Sequence, residues 1–185
     1  MSETVFYTGK GDRGDTGRLR GRDRISKADV LIDTIGTFDE ASCAIGVARA
    51  QVQSPHLQSV LPEVQRRLIR LMSHLSASAE ARADFPGLAE TDVEWLEAQI
   101  ARLEDGLPEL TGFVLPGDSP SGAACQLARA IIRRAERRLV ALSERESDIH
   151  APNLAFVNRL SSFLFVAALQ EEIVTGELTS AQSQE

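Results

Sequence analysis

The chain has 185 residues, of which 43% are hydrophobic, and a formal charge of −7. That length suits one domain with a sizeable core, and the composition is that of a soluble globular protein rather than a disordered or disulfide-built one. A pI of about 5.1 argues against a nucleic-acid groove, which needs a broad basic surface.

The two cysteines, Cys43 and Cys125, form no metal or disulfide pattern and lie in apolar helical stretches. Both are expected as small core residues of a protein kept reduced. The sequence has no unbroken apolar run of roughly 18 residues and opens on no basic-then-apolar leader. No membrane span is expected, and the expected location is the cytoplasm.

Positive charge is concentrated near the start. Residues 8–19 read Thr-Gly-Lys-Gly-Asp-Arg-Gly-Asp-Thr-Gly-Arg-Leu, and residues 10–27 carry seven Lys/Arg against three Asp. Gly9, Gly11 and Gly14 satisfy G-x-G-x-x-G, yet charged loop follows where a dinucleotide fold needs a helix. Gly9 and Gly14 also have P-loop spacing, but Asp15 stands where that motif needs lysine. Both nucleotide folds are therefore rejected. The chemistry they share remains: glycines expose backbone N–H groups to an anion, Lys10 and Lys27 supply charge, and Thr16 offers a hydroxyl. Asp12 or Asp15 is placed to face a Mg²⁺ carried by the phosphates. The competing reading is an arm of solvated charges.

Five helices are expected after the loop. Leu31, Ile35, Phe38, Ser42 and Ile45 mark the first, over roughly 29–51. Leu57, Leu61, Val64, Leu68, Leu71 and Leu75 mark the second, to about residue 83. Phe85-Pro86-Gly87 breaks the chain. Thr91 and Glu94 are spaced as a capping box for the third helix, whose apolar face is Val93, Leu96, Ile100 and Leu103. Ser119 caps the fourth, with Pro120 at its first position, and that helix runs to about Glu144. The fifth, about 152–174, is apolar nearly all round, as a helix in the middle of a bundle or in a subunit contact would be. The expected fold is all-α: a five-helix bundle over 29–175, forming a single domain with the loop segment 1–28. A polar tail, 176–185, is expected to fray from Thr179 onward.

The fourth helix carries a second cationic cluster. Arg129, Arg133 and Arg137 are spaced i, i+4, i+8 and span about 12 Å along one face, a reach that suits a triphosphate. Ala128, Ile132, Ala135 and Leu139 form the adjoining core stripe. The three arginines therefore stand at the core's edge, with Arg134 and Arg138 further round toward solvent. An edge arginine needs a carboxylate partner, and Asp39 or Glu40 on the first helix qualifies. Asn158, within an apolar run, needs a hydrogen-bond partner: a neighbouring helix or a bound nucleotide.

Together these segments resemble the PduO-type ATP:cob(I)alamin adenosyltransferases. The matching pieces are Tyr7 to Thr16, Ser26-Lys27, Gly36-Thr37-Phe38-Asp39-Glu40, Phe113-Val114-Leu115-Pro116-Gly117, Arg133-Arg134-Ala135-Glu136-Arg137 and Val157-Asn158-Arg159-Leu160, in family order. The resemblance implies a homotrimer with active sites between subunits. It also implies transfer of the 5′-deoxyadenosyl group of ATP, bound with Mg²⁺, to the Co(I) of cobalamin, releasing triphosphate. Co(I) is itself the nucleophile, so no catalytic histidine or cysteine is required. Carried over residue by residue, Thr8, Gly9, Lys10, Gly11, Asp12, Gly14, Thr16, Gly17 and Lys27 match the ATP loop. Arg133, Arg134, Glu136, Arg137 and Asn158 match ATP contacts on the helices. Phe113 matches the aromatic residue that displaces the corrinoid's lower ligand. Asp39 and Arg129 match a salt bridge across the subunit contact. No protein cage for a metal is implied, since the Mg²⁺ rides on ATP.

The sequence departs from the family pattern in two places. Ala41-Ser42 follows Asp39-Glu40 where the family commonly has Leu-Asn. Ser161-Ser162 follows Leu160 where it often has Ser-Asp. Both departures bear on corrinoid handling more than on ATP binding. The alternative function is a non-catalytic corrinoid or ATP carrier of the same fold.

Overall fold

The computed structural model describes residues 7–110, 112–146, 149–175 and 178–179. Five helices make the fold: α1 Val30–Arg49, α2 Pro55–Ser76, α3 Glu90–Glu104, α4 Pro120–Ser143 and α5 Ala151–Thr175. A two-stranded antiparallel hairpin precedes them, β1 Asp15–Gly17 on β2 Arg24–Ser26, with Thr16 opposite Ile25.

The apolar stripes read from the sequence become the core. In α2 every residue of the expected stripe, Leu57 to Leu75, is buried. α4 lies between α1 and α5, with α2 beyond α1 and α3 beyond α5. α5 buries Phe156, Val157, Leu160, Phe163 and Leu164, as expected of a central helix. It is long and apolar enough to cross a membrane by length and composition. The sequence rule missed this because polar residues such as Asn153 and Asn158 interrupt the run. In the fold most of its length is buried against the bundle.

Several boundaries differ from expectation. α2 stops at Ser76 rather than near residue 83, because the next backbone is taken by the N-terminal arm. Leu19 donates to the carbonyl of Ser76 at 2.8 Å and accepts from Ser78 at 3.0 Å. Arg18 closes the same helix end by donating to the Ala77 carbonyl at 2.9 Å, where orphan carbonyls and the helix dipole favour a cation. α3 begins before Thr91. Asp92, not Thr91, serves its first turn, its carboxylate accepting from the Ala89 amide at 2.9 Å. Cys43 is exposed, unlike the buried Cys125, because it sits on the α1 face opposite the core stripe. Burial, with Glu171 and Glu172 nearby, pushes the Cys125 thiol up to about 12. Of the tail expected to fray, Thr179 is hydrogen-bonded to Asp118, and 180–185 lie outside the described residues.

Candidate active site

The glycine loop is held by its own cations. Gly9 and Gly14 take φ of +65° and +79°, which only glycine adopts cheaply. Lys27 folds back over the loop: its amide donates to the Gly14 carbonyl at 2.8 Å and its Nζ to the Gly11 carbonyl at 2.9 Å. Arg24 grips the Asp15 carboxylate through Nε at 2.8 Å and Nη2 at 2.9 Å, and also reaches the Lys10 carbonyl at 2.7 Å. That hydrogen bond and the Arg24 charge hold the Asp15 carboxyl below its ordinary value. Asp15 is therefore committed to the hairpin, whereas no ion pair joins Asp12 to a cation among the described residues. Thr16 and Gly17 sit in β1, and Thr8 accepts weakly from the Lys10 amide at 3.4 Å. Arg20 pairs with Asp84 at 2.7 Å. Much of the positive charge seen in the sequence thus staples the arm to itself and to α2. Lys10 and Arg13 line an open cavity of about 560 Å³ with Gly9 and Asp12.

The arginines of α4 divide into two sets. Arg134 pairs with Glu40 and Arg138 with Asp33, both on α1. Glu40 is thus the carboxylate partner foreseen, but for Arg134, which the helical spacing put toward solvent and the resemblance put on ATP. Arg129 is held by Gln126 at 2.7 Å and lies 6.0 Å above the Phe165 ring. Arg133 and Arg137 have no carboxylate partner among the described residues, and Arg137 donates only to the Arg133 carbonyl at 2.9 Å. Arg129 and Arg133 line a cavity of about 600 Å³ between α4, α5 and the loop after α3. Ser161, Ser162 and Phe165 form its α5 wall.

Asn158 finds a helix partner. Its Nδ2 donates to Glu136 on α4 at 2.8 Å, and its Oδ1 accepts from Arg159 at 3.0 Å, which in turn reaches Glu97 on α3 at 2.9 Å. This network lies beside Arg133 and Arg137 and links three helices. Phe113 lies on the loop before α4 and is 84% exposed. Asp39 is exposed and makes no ion pair with Arg129 within the chain. No hydrogen bond or ion pair joins the glycine loop to Arg133 or Arg137 among the described residues. The two cationic clusters thus remain separate within one chain.

Residues 6–171 match the family described as cobalamin adenosyltransferase. The chain belongs to that family. Family relatives include the corrinoid adenosyltransferase of Bacillus subtilis, 38% identical over 167 residues, covering 88% of this chain and 84% of that protein. The corrinoid adenosyltransferase of Mycobacterium tuberculosis is 35% identical over 168 residues, covering 88% and 86%. A phenylalanine-to-alanine variant of the PduO-type ATP:corrinoid adenosyltransferase of Lactobacillus reuteri, complexed with cobalamin and ATP, superposes with a TM-score of 0.86 at 29% identity, covering 97% of this chain and all of that one. An arginine-to-lysine variant of the same enzyme, complexed with ATP, gives 0.84 at 29% identity, covering 95% and 99%.

Sequence reasoning did not foresee the Asn158–Arg159–Glu97 continuation or the commitment of Asp15 to Arg24. The first joins three helices distant in sequence, and only the assembled bundle brings them together. The second left no usable signal, since the two strands that bring Asp15 near Arg24 are three residues each, too short to register as alternation.

Proposed function

We propose that this chain transfers the 5′-deoxyadenosyl group of ATP to the cobalt of reduced cobalamin, in a site built between copies of the chain. The carrying observation is that Arg133 and Arg137 have no carboxylate partner among the described residues while Arg134 and Arg138 are committed to α1. Arg133 also borders a cavity large enough for part of a corrinoid. A departing triphosphate needs such uncommitted charge.

The division of labour runs as follows. Lys10, Lys27 and the loop amides take the phosphates, with Mg²⁺ on the phosphates and Asp12 beside it. Arg133 and Arg137 take the charge that develops on the leaving group. Glu136 and Asn158 keep α4 and α5 in register beneath it. Cobalt's electron pair forms the bond to C5′, and the C5′–O bond breaks with its pair leaving on triphosphate. The protein's task is alignment of these atoms. Phe113 displaces the lower ligand, and Asp39 of one copy meets Arg129 of the next.

The assembly in this reading is a homotrimer, because the loop and the arginine face need a second copy to meet. Val47 on α1 and Leu127 on α4, 51% and 57% exposed on adjacent antiparallel helices, offer an apolar surface for such a contact. The reaction needs a reducing surrounding, consistent with a cytoplasmic protein. The test is formation of adenosylcobalamin from ATP and chemically reduced cobalamin. Turnover supports the enzyme, whereas ATP and corrinoid binding without product supports a carrier.

A further inference from the structure

The loop that carries Phe113 is tied down by the segment after α5. Thr179 donates from its amide to Asp118 Oδ2 at 2.7 Å and from Oγ1 to Asp118 Oδ1 at 2.8 Å. Its carbonyl accepts from the Leu115 amide at 2.9 Å. One residue thus makes three hydrogen bonds to both sides of Pro116-Gly117. Leu178 adds an apolar contact surface, lining a small cavity of about 180 Å³ with Phe113 and Val114. From within α5, the buried Glu172 carboxylate lies close to the Gly117 backbone, which favours its charged form. Gly117 takes a φ of +127°, a conformation that glycine adopts freely and side chains do not. The next residue, Ser119, caps α4, its Oγ accepting from the Gly122 amide at 2.9 Å. The family match ends at residue 171, so Leu178 and Thr179 lie beyond it.

An 84% exposed phenylalanine has little packing of its own to fix its direction. The backbone that carries it must do so. We propose that Asp118 and Thr179 are positioning residues that clasp the Phe113 loop and set how well Phe113 displaces the corrinoid's lower ligand. The proposal rests on the role given to Phe113 above. Two oriented acceptor oxygens on Asp118 take two donors from one threonine, which fixes the rotation as well as the position of the loop. Supporting contacts of this kind typically change the function of the group they hold by about tenfold or more.

The experiment uses the full chain with MgATP and Co(II) cobalamin, and reads the fraction of four-coordinate Co(II) by visible and EPR spectra. Asp118→Ala is expected to lower that fraction about tenfold while the ATP Kd stays within about twofold. Thr179→Val, which loses only the Oγ1 donor, is expected to fall between, and Thr179→Ser to restore the wild-type spectrum. Phe113→Ala is run beside them. If Phe113→Ala loses the four-coordinate species and both clasp variants keep it, the clasp is overturned and the role of Phe113 stands. If Phe113→Ala keeps it, that role and the clasp fall together. A parallel loss of ATP affinity in Asp118→Ala and Thr179→Val means general unfolding of the site, and overturns the clasp as well. Thr179 is exposed, so its variants fold even where Asp118→Ala does not.

Discussion

Lys27 donates from Nζ to the carbonyl of Gly11 at 2.9 Å, so the cation assigned to ATP rests on the loop that would hold the nucleotide. A Cβ on Gly11 would stand 2.8 Å from that Nζ. A carbonyl is a weaker partner for an ammonium than a phosphate oxygen. On the proposed function, a nucleotide phosphate would take the lysine from the carbonyl without moving it far.

Replacing Lys27 by alanine removes one charge-assisted contact, worth about 1.5–3 kcal/mol. The KM for ATP is expected to rise about tenfold to a hundredfold. Lys27 is exposed, so stability is expected to stay within about 0.5 kcal/mol. Steady-state kinetics at saturating reduced corrinoid, with a thermal melt as control, check both. An unchanged KM removes Lys27 from the site.

Two glycine substitutions separate space from backbone strain. In Gly11→Ala the new methyl crowds the far end of the Lys27 side chain, which is exposed and can move, and meets the Asp15 carbonyl at an ordinary 3.5 Å. Stability should hardly change. In Gly14→Ala nothing lies within 4 Å of the methyl, but φ is +79°. The cost is then conformational, about 1–2 kcal/mol. Urea unfolding of the two variants should rank Gly14→Ala as clearly the less stable, and equal midpoints would contradict the positive φ.

Neighbouring arginines on α4 should behave differently. Arg133→Ala is expected to cost about 2–4 kcal/mol of transition-state stabilisation, by analogy with a lost oxyanion donor, with little change in folding. Arg134→Ala breaks a partly exposed pair with Glu40 and should cost no more than about 1 kcal/mol of stability, with kcat near normal. The ratio of kcat/KM between the two variants is the measurement. Near-normal turnover in Arg133→Ala would take it out of the mechanism.

The bundle was legible because its helices are long and their stripes regular: Leu57 to Leu75 named the buried face of α2 outright. What failed were places where distant backbone competes. Nothing local to residues 77–83 shows that Leu19 will take the carbonyl of Ser76 and end the helix there. Asp92 was overlooked in the first turn of α3 because Thr91 and Glu94 fit the usual capping-box spacing two residues later. The site was legible as two clusters of charge. Which cations are uncommitted was not, since the pairing of Arg134 with Glu40 and Arg24 with Asp15 depends on rotamers and packing between elements.

Asp92 joins α3 to α2 and makes the fold sensitive to acid. It accepts from the Ala89 amide at 2.9 Å and from Arg67 Nε at 3.1 Å, and pairs with Arg70. Burial works against its charge, but the Ala89 amide and the two arginines outweigh it, and its carboxyl lies below its ordinary value of 3.8. The unfolded chain therefore takes up this proton more readily than the folded one. The stability this group contributes is complete above the ordinary value and is lost as pH falls through the lower folded value. Asp92→Asn keeps the size and an acceptor for Ala89 but loses the charge, and should cost about 2 kcal/mol at neutral pH. Arg67 would still stack 3.7 Å over the Trp95 ring and reach Glu63 at 3.3 Å, which limits the loss. Urea unfolding from neutral pH down to the acid range should show the two proteins converging as the wild type loses this contribution. Curves that stay parallel throughout would mean that Asp92 does not link folding to protonation.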